Sequence, residues 1–142
     1  MCVFGKDSHM KKIISYLLIL VIAAQMFSIV AFAATSSYTA PLSFQGQHTG
    51  SAREYTGTDM HWYGSTTEQY GKPEYPDVFY VYLYRKNSLG STLIGDGRML
   101  PRTGPHSLWW DNVGSGTYYF FYSKARDGAN VNSDRITMEM TP

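Results

Sequence analysis

Apolar positions recur at every second residue along much of the chain. The clearest case is Asp77–Lys86, "DVFYVYLYRK". Read as an extended strand, it puts Phe79, Val81 and Leu83 on one face and Tyr80, Tyr82 and Tyr84 on the other. After Ala34 no window keeps apolar residues at i, i+3, i+4, i+7 for three turns, so no amphipathic helix is expected. The alternating runs predict strands near Tyr38–Phe44, Ser51–Tyr55, Asp59–Tyr63, Val78–Arg85, Ser91–Gly95, His106–Trp110, Thr117–Ser123 and Arg135–Met140.

Between these runs stand residues that favour turns. Asn87 and Gly90 lie in Lys86–Ser91, which reads as a hairpin loop. Gly95–Arg98 and Pro101–Pro105 are expected to break pairing, and Ala125–Asp134 reads as a long Gly/Asn/Asp connection. Gly64–Pro76, "GSTTEQYGKPEYP", has no periodicity and reads as a long loop carrying Tyr70 and Tyr75. The rhythm of short strands and turns predicts an all-β, antiparallel β-sandwich of about seven or eight strands, Ig-like or jelly-roll-like.

The N-terminal part has a different pattern. Lys11 and Lys12 precede an almost unbroken apolar run from Ile13 to Val30, followed by Ala31-Phe32-Ala33. That order is a secretory signal peptide, with a retained membrane anchor as the rival reading of the apolar run. Residues 1–33 are therefore expected to be a leader, with 1–9 an upstream extension before Met10. Residues 34–142 form a single domain, and the mature N-terminus is expected at Ala34. The expected location is extracellular, in a Gram-positive type of secretome. The single cysteine, Cys2, lies in the leader, so the exported domain is expected to be free of disulfides.

The formal net charge of +1 leaves no basic stripe for nucleic acid. No G-x-S-x-G elbow, metalloprotease motif or phosphate loop is present. His48, His61 and His106 stand apart from further ligands, except that Asp59 and His61 share a strand face. Glu54, Asp59, Glu68, Glu74 and Asp77 supply carboxylates without fixing a spacing for glycoside hydrolysis. Asp127, Asn130, Asn132 and Asp134 could offer oxygens to calcium, although the ordered calcium-loop motif is missing. The expectation is a protein without catalysis, cofactor or metal.

Aromatic content changes this picture. Of 12 Tyr, 7 Phe and 3 Trp, only Phe4, Tyr16, Phe27 and Phe32 fall in the leader. One small core does not need so many. Alternation assigns Tyr118 and Phe120 inward with Phe79, Val81 and Leu83, and Tyr119 and Phe121 outward with the tyrosines of Val78–Arg85. Trp109 and Trp110 must point to opposite faces, as must Trp62 and Tyr63. The candidate ligand-binding set is Tyr80, Tyr82, Tyr84, Trp62, Trp109, Tyr119, Tyr70 and Tyr75. Three roles suit such a face: cross-strand packing, a platform for a sugar polymer, or contact with a protein or membrane. The leading expectation is a partner that is an extracellular glycan or cell-surface component. The alternative is a secreted antagonistic factor, bacteriocin-like or toxin-like, or its immunity protein.

Asp111–Lys124, "DNVGSGTYYFFYSK", resembles the tyrosine corner of extracellular Ig-like and prealbumin-like sandwich domains. Gly114 and Gly116 suit positive φ, and the tyrosine after them can bond back across the turn. The resemblance implies architecture only.

Overall fold

The computed structural model describes residues 36–70 and 77–142. The leader, the Ala34 terminus and Tyr75 lie outside the described residues. Nine strands follow one another: β1 (Ser36–Phe44), β2 (Gln47–Thr49), β3 (Arg53–Tyr55), β4 (Asp59–Gln69), β5 (Val78–Asn87), β6 (Gly90–Pro101), β7 (Gly104–Trp110), β8 (Gly116–Ser123) and β9 (Asn130–Thr141). They form two antiparallel sheets. Sheet A has the order β1-β9-β4-β7, and sheet B has β2-β8-β5-β6 with β3 also paired to β8. Among the described residues there is no helix.

The all-β sandwich read from the alternation is the observed fold, and its topology is that of a jelly roll. The chain passes back and forth between the sheets, and among the described residues β5 and β6 are the only consecutive full-length strands joined as a hairpin. β9 lands between β1 and β4, and β8 lands between β5 and the broken β2–β3 edge. Counting β2 and β3 as one interrupted strand gives the eight strands and two Greek keys of that architecture. Of the Ig-like and jelly-roll-like arrangements expected, the second is the one adopted.

Three strands run longer than local propensity predicts. β4 continues to Gln69 through what reads as the start of a loop, β6 crosses Gly95–Arg98, and β9 begins at Asn130 inside an expected connection. The cause is pairing on the flanks. β9 is hydrogen-bonded to both β1 and β4, and this outweighs the turn preference of its Asn and Asp residues. In β6 the turn residues are absorbed as a bulge opposite Val81–Leu83 rather than a break.

The core lies between the sheets. Phe79, Val81 and Leu83 of β5 and Tyr118, Phe120 and Tyr122 of β8 are buried from sheet B. Met60, Trp62, Trp110, Val131, Ile136, Met138 and Met140 meet them from sheet A. The Trp62 Nε1–H donates to the Tyr122 hydroxyl across the core at 3.0 Å. Burial raises the Tyr122 phenol far above its ordinary pKa, so it stays a neutral hydroxyl there.

The tyrosine corner is present. The Tyr118 hydroxyl lies 2.7 Å from the carbonyl oxygens of Val113 and Gly114. The glycine with positive φ is Gly114, at 72°, whereas Gly116 is not in that region. Of the two glycines expected at positive φ, only Gly114 adopts it. Gly114→Val should lower stability by about 1–3 kcal/mol through backbone strain, since nothing crowds the added Cβ. Urea melts check this, and an unchanged midpoint would mean that the corner does not require this φ.

Candidate functional site

Alternation along β5 turns Tyr80, Tyr82 and Tyr84 to the outer face of sheet B, opposite the buried Phe79, Val81 and Leu83. The register extends the face sideways. Tyr82 is paired with Phe121 and Tyr84 with Tyr119 on β8. On the other flank Tyr80 is paired with Met99 and Tyr84 with Leu93 on β6. Directly opposed residues share a face, so these side chains form one patch.

The rings are in mutual contact. Tyr84 and Tyr119 stack with centroids 5.2 Å apart and planes 7° from parallel. Tyr82 lies 5.8 Å from Phe121 and 6.3 Å from Tyr80. Tyr82 also covers Gly97, where a Cβ would collide with its ring. This glycine lets an aromatic ring lie flat on the backbone at the bulge of β6. Tyr82 and Tyr84 are consequently half-buried. Tyr80 is 37% exposed and Met99 61% exposed. The patch offers apolar ring surface with phenol hydroxyls at the outer ends of the rings.

The remaining site residues do not join it. Trp62 has 0% exposure and belongs to the core, so its assignment to a ligand-binding surface is corrected. The position is filled inward because Trp62 sits on β4, flanked by β9 and β7, with Tyr122 facing it from sheet B. Its neighbour Tyr63 takes the outer side. Trp109 is exposed at 45%, but on β7 of sheet A, the opposite face of the sandwich from the tyrosines. Tyr70, 83% exposed with φ of 66°, stands just beyond β4 and is not part of the patch.

The outer face of sheet A holds a cluster that sequence reasoning missed. The His61 imidazole stacks on Trp109 with centroids 3.9 Å apart and planes 6° from parallel, and on Tyr63 at 4.4 Å. Its Nδ1 lies 3.2 Å from Glu139 Oε1 and its Nε2 lies 2.9 Å from Ser107 Oγ. Pairing Asp59 with His61 drew attention to one strand, whereas the partners come from the strands on either side.

The calcium arrangement considered for Asp127–Asp134 is not formed. Asp127 Oδ1 accepts from Lys124 Nζ at 2.6 Å and from the Ala129 N–H at 3.1 Å, and Oδ2 lies 2.5 Å from Arg102 Nη1. Arg102 Nη1 also reaches Glu68 Oε1 at 2.7 Å. Asp127, Arg102 and Lys124 are all buried, so the carboxylate is already neutralised by two cations. Asn132 accepts from the Ser43 hydroxyl, and Asp134 is exposed further along β9. Burial alone would raise the Asp127 pKa. The bonds from Lys124, the Ala129 N–H and Arg102 outweigh it and hold the carboxyl well below the usual range.

The sequence matches no protein-family model and no curated protein. Among solved structures, the chain is similar to infectious bursal disease virus Gt strain, at 9% identity and TM-score 0.41, over 75% of this chain and 32% of that one. The Gx strain is similar over the same shares at 9% identity and TM-score 0.36. The chain thus spans 32% of the length of those viral chains.

Proposed function

We propose that this chain is a secreted binding domain that holds an extracellular carbohydrate on the outer face of sheet B. The observation that carries this reading is the continuous patch of Tyr80, Tyr82, Tyr84, Tyr119 and Phe121, extended by Leu93 and Met99. A contiguous apolar face on a soluble domain usually marks an interaction site. A sugar polymer suits this one chemically. Its C–H faces pack on aromatic rings, and its hydroxyls exchange hydrogen bonds with the phenol groups. The patch runs across three neighbouring strands, which suits a chain of sugar units better than a single small molecule.

Tyr80 is the side chain with which to test the reading, because it is the most exposed ring of the β5 row. Tyr80→Ser should leave the melting midpoint within about 0.5 kcal/mol of the parent. It should weaken binding on a glycan array or to insoluble polysaccharide by about 2 kcal/mol, roughly thirtyfold. Unaltered glycan binding by a folded Tyr80→Ser protein would sink the proposal. Growth inhibition of other bacteria with no glycan retained would point instead to the antagonistic role.

A further inference from the structure

The cluster on sheet A has the connectivity of a nucleophile, a base and an orienting carboxylate. We propose that Ser107 is an activated nucleophile toward small O-acyl esters, with His61 as its general base and Glu139 as the positioning residue. This goes beyond binding and does not depend on the tyrosine face.

The argument begins with the imidazole. Glu139 Oε1, 3.2 Å from Nδ1, makes Nδ1 the protonated nitrogen. Nε2 is then the acceptor, and the Ser107 hydroxyl donates to it at 2.9 Å. A serine bonded to an imidazole that is in turn held by a carboxylate is the arrangement that makes a hydroxyl nucleophilic. The residues are brought together by register. His61 lies directly opposite Glu139 on β9 and Trp109 on β7, while Ser107 opposes Tyr63.

The stack supplies what the base needs. His61 lies between Trp109 and Tyr63, which fix its plane. Its side chain is 14% exposed and that of Glu139 is 24% exposed, whereas Ser107 is open to solvent. Among the described residues β7 is the end strand of sheet A, so alternate residues along it direct their N–H away from β4.

The reaction is balanced within the site. The Ser107 proton passes to His61 Nε2 as the Oγ–carbonyl carbon bond forms. The carbon–oxygen bond of the ester breaks, and the proton moves from Nε2 to the departing alkoxide. Water then attacks the acyl-serine by the same relay and releases the carboxylic acid. Ser107 lies on an open sheet face, so the fitting substrate is an acetyl-sized ester projecting from a larger molecule.

The test uses protein secreted from the full 142-residue chain. It is treated with a biotinylated fluorophosphonate, mapped by peptide mass, and assayed with p-nitrophenyl acetate. Label is expected on Ser107, lost in Ser107→Ala. His61→Gln should slow labelling and hydrolysis by about a hundredfold, the usual scale for a general base. Glu139→Gln should lower kcat with little change in KM, and Glu139→Asp should restore part of it. Thermal melts establish that each variant is folded, and Ser107→Ala removes only an exposed hydroxyl. No label on the folded parent protein, label elsewhere that survives Ser107→Ala, or undiminished labelling of folded His61→Gln would each overturn the proposal.

Discussion

Trp62→Ala is expected to be the most damaging single truncation among the core positions described above. The cost should be about 3–5 kcal/mol, from lost burial and the cavity left behind. The Tyr122 hydroxyl would also lose the indole N–H that now bonds to it at 3.0 Å. A domain of this size has a total stability of about 5–15 kcal/mol, so the variant should be close to unfolding at ordinary temperature. Urea melts of Trp62→Ala beside Tyr80→Ser make the comparison. The first should shift far toward low denaturant and the second hardly at all. If Trp62→Ala were mild, this tryptophan would not be in the core, and the division of β4 into inner and outer residues would fail with it.

Removing the charge at Asp127 is expected to have the next largest effect. Asp127→Asn takes from buried Lys124 the carboxylate it is paired with and leaves buried Arg102 to Glu68 at 2.7 Å and Asp77 at 4.0 Å. Breaking a buried ion pair on one side costs about 3–5 kcal/mol. The lower end applies here, because Glu68 and Asp77 keep solvent near the cluster. The same carboxylate makes a prediction about pH. Its folded pKa is depressed, so its stabilisation is fully present above the unfolded value of about 3.9 and is lost as the pH falls below it. The parent melt should fall steeply below about pH 4, whereas Asp127→Asn should start lower and fall less there. Equal acid slopes for the two proteins would show that Asp127 is not held by its cationic partners.

Both effects come from groups whose importance the sequence expressed poorly. Asp127 looks like an ordinary turn residue, and locally it is one, since its carboxylate caps the Ala129 N–H. Its larger role depends on Arg102, delivered by the connection between β6 and β7. Trp62 and Tyr63 are adjacent, large and amphipathic, so alternation said that they part but not which goes inward. The face of β5 was easier to read. Phe79, Val81 and Leu83 carry no hydroxyl and the three tyrosines do, so chemistry and parity agree, and all three apolar residues are buried.

What the sequence determined by itself is therefore what depends on neighbours two residues apart. This covers the strand character, the two-sided β5 and β8, and the tyrosine corner of Asp111–Tyr118. Each arises from the pleat of one strand or the reach of one turn, so local order suffices. Only the tertiary structure decided the jelly-roll strand order, the separation of Trp109 from the tyrosine face, and the burial of Trp62. It also assembled Ser107 and Glu139 around His61, which lie 46 and 78 residues away along the chain. Those contacts are set by which strands pair and in what register. That choice is made by burying both sheets' inner faces together, and no stretch of the chain carries it alone.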